Sequence, residues 1–167
     1  MGNTIENLKA AFAGESQASR KYTYFAEKAD KEGYPQVARL FRAAAEAETV
    51  HARNHLNVLN GIGTTAENLK AAIAGEHEEF MSMYPDFITQ AQTEKNSKAE
   101  SSFNKANKVE KVHHGLYTLA LKEVEAGRQA PEKSFYVCQV CGETIEGEAP
   151  DKCPICGAPK AMFKKID

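Results

Sequence analysis

The 167-residue chain has no Trp, and its four Cys all fall in the last thirty residues. A reducing compartment disfavours disulfides, so cysteines gathered as two Cys-x-x-Cys pairs point to a metal. No apolar run approaches the roughly 20 residues needed to span a bilayer. The formal net charge is only -2 and no basic run occurs, which gives no reason to expect a nucleic-acid partner. No G-x-G-x-x-G stretch occurs, so the chain has no dinucleotide fingerprint of its own. Its start, MGNTIENLKAAF, lacks the basic segment and long apolar stretch of a secretion signal. The chain opens Met1-Gly2, but Glu6 stands where an acylation signal wants Ser or Thr. Together these absences predict a cytoplasmic protein with no membrane partner.

What is present reads as two regions. Residues 4–127 are rich in Ala, Glu, Lys and Leu and hold only two prolines, Pro35 and Pro85. Apolar periodicity predicts four helices there. The first spans about Thr4–Lys31 and stops at Glu32-Gly33-Tyr34-Pro35; the second spans about Gln36–Leu59 and stops at Asn60-Gly61. The third starts near Thr65, whose hydroxyl is a candidate N-cap, and runs to about Lys95, with a kink expected at Pro85. The fourth spans about Lys98–Ala126 and stops at Gly127. Residues 128–133 read as a linker. Residues 134–167 hold all four cysteines and are too few to bury an adequate core, so this segment needs a metal to fold.

The helical region is an internal repeat. Thr4-Ile-Glu-Asn-Leu-Lys-Ala-Ala-Phe-Ala-Gly-Glu15 recurs as Thr65-Ala-Glu-Asn-Leu-Lys-Ala-Ala-Ile-Ala-Gly-Glu76, an offset of 61. Glu48-x-x-His51 recurs as Glu110-x-x-His113, an offset of 62. Glu15 and Tyr22 are seven residues apart, whereas Glu76 and Tyr84 are eight apart, so one residue has been gained in the third helix. A single insertion is often absorbed as a π-bulge, and one is predicted between Glu79 and Pro85.

Each apolar stripe carries ionisable residues near its middle: Glu15 in the first, Glu48, His51 and His55 in the second, Glu76 and Glu79 in the third, Glu110 and His113 in the fourth. Five carboxylates gathered in a core are intolerable unless compensated, because each buried ionised carboxylate costs several kcal/mol even after relaxation. Two divalent cations remove most of that cost, and a carboxylate and imidazole donor set suits iron or manganese, with zinc fitting less specifically. Glu-x-x-His places both donors on one helix face, and two such motifs plus a Glu from each of two other helices are the ligand pattern of di-iron carboxylate bundles. His55 reads as a core residue beside the ligands, and His77 and His114 as solvated. Glu79 has no counterpart in the first half, where Ala18 follows Glu15, so the two metal positions are inequivalent. At the other end, Cys138-Gln-Val-Cys141-Gly142 and Cys153-Pro-Ile-Cys156-Gly157 form two knuckles eleven residues apart. Four thiolates in a tetrahedron fit Fe or Zn, and the glycines permit turns whose N–H groups face sulfur.

With both motifs, the chain resembles the rubrerythrins over essentially its whole length. The resemblance implies a mainly α fold: a ferritin-like four-helix bundle over residues 1–127 and a small β-rich rubredoxin-like metal domain over 134–167. It implies two non-haem irons, with Glu48 and Glu110 bridging, Glu15 and Glu76 terminal and His113 on one iron. The other iron would exchange Glu79 for His51 on reduction, with Tyr22 and Tyr84 hydrogen-bonded to the carboxylates. One iron on Cys138, Cys141, Cys153 and Cys156 would relay electrons. The implied reaction is reduction of hydrogen peroxide to water, an oxidative-stress defence, driven by rubredoxin or an NAD(P)H-dependent reductase. A ferroxidase or iron-handling role is the alternative, and a docking module stapled by zinc is a further one. In such a bundle the link between helices two and three must run at least about 25 Å at about 1.5 Å per residue of helix. The eight residues from Leu59 to Glu67 reach only about 27 Å when fully extended. That predicts a domain-swapped homodimer.

Overall fold

A computed structural model describes residues 3–166. The Met1-Gly2 start lies outside the described residues. The chain forms two compact units that divide between Gly63 and Thr64.

The first unit is a helical hairpin, α1 (Thr4–Lys31) and α2 (Pro35–Val58). Asn3 caps α1 in a reciprocal box: its side chain accepts from the Glu6 N–H, and the Glu6 carboxylate accepts from the Asn3 N–H at 2.9 Å. Gly33 turns the chain at φ +81 before Pro35 opens α2, where a missing N–H costs nothing. The buried seam is built of small residues, Ala26, Ala29, Ala38, Ala45 and Ala52, so the helices approach closely. Ser19 and Thr49 share a hydrogen bond across the seam at 2.9 Å. Within the hairpin the larger stripe residues Ile5, Val37 and Val58 remain exposed, because two helices alone can cover only one seam.

The second unit begins with α3 (Thr65–Glu78), a π-turn (Glu79–Met83) and α4 (Tyr84–Thr93), which pack against α5 (Ser97–Glu125). The N-cap of α3 is Thr64, not Thr65 as the sequence suggested. The Thr64 side chain accepts from the Glu67 N–H, and the Glu67 carboxylate accepts from the Thr64 N–H at 2.8 Å. Thr64 and Glu67 occupy the same places as Asn3 and Glu6 one repeat earlier, and a capping box needs that three-residue spacing. The predicted π-turn is present, and Pro85 falls in the first turn of α4 directly after it. Pro85 has no N–H to donate, and the Tyr84 N–H just before it donates to the Glu79 carbonyl in the i to i−5 pattern of the π-turn. The end of α5 is closed by Gly127 at φ +65, with Arg128 N–H donating to the Glu123 carbonyl.

The repeat is visible in side-chain packing. Tyr22, Phe25 and Phe41 form an aromatic triad with centroid separations of 6.2, 6.1 and 5.6 Å. Tyr84, Phe87 and Phe103 form its counterpart at 6.3, 6.2 and 5.5 Å. The π-turn absorbs the extra residue and returns Tyr84 to the register that Tyr22 holds without one.

After α5 the chain makes a three-stranded antiparallel sheet, β1 (Phe135–Cys138), β2 (Thr144–Glu146) and β3 (Phe163–Ile166), in the order β2-β1-β3. Its core is the cysteine cluster: Cys138, Cys153 and Ala158 are buried, with Cys141, Ile155, Cys156 and Phe163 packed around them. The sheet rests on α5 through β2, and Gly142 faces Val109. No helix among the described residues is long and apolar enough to cross a membrane.

Candidate metal centres

Three donor groups stand out. The first lies in the hairpin, where Glu15 on α1 and Glu48 and His51 on α2 bring donor atoms within 4.8 Å of one another. His51 Nδ1 is 2.8 Å from Glu48 Oε2. The second lies in the other unit, where Glu76 on α3 and Glu110 and His113 on α5 converge within the same distance. His113 Nδ1 is 2.9 Å from Glu110 Oε2 and 3.9 Å from Glu76 Oε1. The same three residue types thus gather at equivalent places in both halves of the repeat. The Glu-x-x-His spacing supplies two of the three donors in each group, since residues three apart share a helix face, and packing of the neighbouring helix supplies the third.

The second group is the better enclosed, with the Glu76 and Glu110 side chains only 18% and 15% exposed. Burial, and then the charge of Glu110, push the Glu76 carboxyl above its ordinary range, against the pull of His113. Glu79 opens the π-turn, and burial followed by the charge of Glu76 raises its carboxyl too. Burial raises the Tyr84 phenol as well, helped by the charges of Glu110, Glu79 and Glu76. Such crowding of like charge is costly in the protein alone, and a bound cation would relieve it. Glu79 is not among the three converging donors, and Tyr22 packs in its triad with Phe25 and Phe41.

His77 is exposed, as expected, but its ring lies 5.3 Å from Phe80. His114 is not solvated as expected: it is half-buried, with its ring 5.5 Å from Phe80 and 5.7 Å from His77. A position one residue off the stripe still faces the neighbouring helix when the π-turn brings Phe80 over it. His55 is half-buried.

The third group is Cys138, Cys141, Cys153 and Cys156. Cys138 and Cys156 sulfurs lie 3.7 Å apart, and Cys141 and Cys153 sulfurs 3.6 Å apart. Those are close to the edge of about 3.8 Å for a tetrahedron with metal–sulfur bonds of about 2.3 Å. All four cysteines are free thiols. Gly142 and Gly157 take φ +86 and +75, which turns backbone N–H groups toward sulfur. Burial alone would push the Cys138 thiol up, but the N–H groups of Val140 and Cys141 outweigh it and hold the thiol below its ordinary value. Burial pushes the Cys141 thiol up despite the N–H of Glu143. Thiolate donors with this geometry fit iron or zinc.

Two residues near these groups carried no signal in the sequence. Glu143 is 3% exposed, its Oε2 has no hydrogen-bond partner among the described residues, and burial raises its carboxyl. Thr144, the first residue of β2, reaches His113. Neither follows a helical or metal-ligand spacing, so only the packing of the sheet on α5 reveals them.

The rubrerythrin family model matches residues 6–121, and the model of the rubrerythrin rubredoxin-like domain matches residues 136–164. The chain is 40% identical to a rubrerythrin of Porphyromonas gingivalis over 179 residues, covering 98% of this chain and 90% of that one. It is also 40% identical to nigerythrin of Nitratidesulfovibrio vulgaris over 177 residues, covering 98% and 86%. A solved structure of nigerythrin in its fully reduced, all-ferrous state matches with a TM-score of 0.59 at 38% identity, covering 99% of this chain and 88% of that one. A mixed-valence structure of nigerythrin matches with a TM-score of 0.58 at 39% identity, with the same coverage. With its ferritin-like helices, its di-iron carboxylate site and its four-cysteine rubredoxin-like site, the chain belongs to the rubrerythrin family.

Proposed function

We propose that the protein is a peroxidase that reduces hydrogen peroxide to two waters, as a cytoplasmic defence against oxidative stress. Residues 1–127 form the catalytic region, 128–133 the linker and 134–167 the electron-relay domain. Glu15, Glu48, His51, Glu76, Glu110 and His113 hold the two irons, with Glu79 as the exchanging carboxylate. Cys138, Cys141, Cys153 and Cys156 hold the third iron. When bound, two ferrous ions would supply the two electrons that, with two protons from solvent, turn hydrogen peroxide into two waters, and an iron on the cysteines would pass replacement electrons from the external donor one at a time. Rubredoxin or an NAD(P)H-dependent reductase is the proposed electron donor.

The observation that carries this reading is Glu79. It stands on a π-turn that the other half of the repeat lacks, beside Glu76 and His113. Iron storage has no need of an extra carboxylate on one side, whereas a centre that changes ligand between oxidation states does. Tyr84, whose phenol is raised by burial and by the charges of Glu110, Glu79 and Glu76, is the proposed donor that would hold one of those carboxylates in orientation. The partly enclosed carboxylates keep bulk water from competing for their oxygens.

We further propose that the site is completed across a homodimer by helix exchange. The short 59–67 link supports this, as does the apolar stripe that the α1–α2 hairpin cannot cover by itself. In sedimentation, the iron-loaded protein should run as a dimer at all concentrations that keep its iron; an iron-loaded monomer would refute the exchange.

The test is anaerobic. Protein loaded with about three irons per chain is reduced and mixed with stoichiometric hydrogen peroxide or with oxygen while its visible spectrum is followed. Reoxidation much faster with peroxide than with oxygen is the expected result. Equal rates, or mineral formation from added ferrous iron, would favour the ferroxidase reading instead.

A further inference from the structure

The Thr144 hydroxyl sits between a backbone carbonyl and a histidine ring nitrogen. Thr144 Oγ1 donates to the Gly142 carbonyl oxygen at 3.1 Å and lies 2.9 Å from His113 Nε2. A hydroxyl has one proton to give. When that proton goes to the Gly142 oxygen, the hydroxyl can only accept from the ring, and His113 then carries its hydrogen on Nε2. Nδ1 is then the bare nitrogen, and it is the one beside Glu110 Oε2 and Glu76 Oε1. A lone pair aimed at two carboxylates is repelled by them, and a cation among the three satisfies all of them at once.

We propose that Thr144 is a positioning residue for His113. Supplied by the cysteine domain, it selects the Nε2–H tautomer and aims Nδ1 at the space between Glu76 and Glu110. This rests on the reading that those three residues hold a metal. Docking of β2 on α5 thereby prepares the carboxylate–histidine site, and the threonine stands two residues after Gly142 in the knuckle that carries Cys141.

The two histidines of the repeat differ in just this respect. His51 also sets Nδ1 against its Glu, but its side chain is 54% exposed and Glu48 is its only side-chain partner among the described residues. His113 is held at both ring nitrogens. The anchored histidine suits a permanent ligand, and the loose one suits a ligand that comes and goes. An anchor on the second nitrogen is what orients a metal-bound imidazole.

The test uses the full chain with its cysteine site filled by iron and its other metal removed. Long-range proton–nitrogen NMR reads the His113 tautomer, and cobalt(II) titration reads affinity at the carboxylate–histidine site. Wild type and Thr144→Ser should both show Nε2–H. Thr144→Val should lose that preference and bind cobalt about 10–100-fold more weakly, with the cysteine-iron spectrum unchanged. Wild-type His113 protonated on Nδ1 overturns the proposal whatever the variants do. Undiminished cobalt affinity in Thr144→Val overturns it as well, leaving the metal-site reading intact. Wild-type protein that takes up no cobalt beyond its cysteines overturns the metal-site reading, and the positioning role with it.

Discussion

Carboxylates crowded beside a histidine give the metal-free protein a pH signature. Glu76 and Glu79 are raised above their ordinary values by burial first and by like charge second. A folded-state pKa above the unfolded value means that the folded chain holds more protons. Their stabilising contribution is therefore complete below the unfolded glutamate value of about 4.3 and is lost as pH rises through the folded value. Metal-free protein should lose thermal stability as pH rises above about 4.3, and Glu76→Gln should flatten that slope. Differential scanning calorimetry of the two proteins checks this. In the loaded enzyme, Glu79→Ala should slow peroxide turnover about tenfold or more, equivalent to about 1.4 kcal/mol on the barrier. Stopped-flow rates with iron content held equal would measure it, and an unchanged rate would remove Glu79 from the mechanism. The donor residues are legible in the sequence because helical spacing fixes which side chains share a face. His114 is not, because its contact with Phe80 depends on the neighbouring helix.

At the scale of elements, helix boundaries follow from capping chemistry. Thr64 closes a reciprocal box with Glu67, whereas Thr65 is already the first residue of α3. Thr64→Ala should lower stability by about 1 kcal/mol, while Thr65→Ala should change it much less. Chemical denaturation of both variants would show whether the two hydroxyls differ as the box requires. The sequence signal fell one residue late because adjacent threonines look alike until the carboxylate three residues on is matched to one of them. The π-turn, by contrast, is legible from counting. Seven residues between Glu15 and Tyr22 become eight between Glu76 and Tyr84, and both tyrosines still have to meet their phenylalanines.

The whole molecule divides its stability between two kinds of core. The helices bury small alanine side chains and carry partly exposed aromatic triads, while the small sheet encloses little besides its own cysteines. A chelator strong enough to strip the cysteine site should collapse amide protection across residues 135–166 and leave most helical circular dichroism in place. Hydrogen exchange resolved by mass spectrometry would check it; a sheet that stays protected without metal would mean that its apolar contacts suffice. The sequence by itself determined the helices, the repeat and which Glu, His and Cys side chains share a helix face or a knuckle, because each is written in the spacing of residues along the chain. Only the tertiary structure decided that Thr144 meets His113 and that Glu143 is buried. Those residues come together where β2 rests on α5, across 31 positions of chain between His113 and Thr144. A contact of that kind is set by how two surfaces pack, and no local periodicity encodes it.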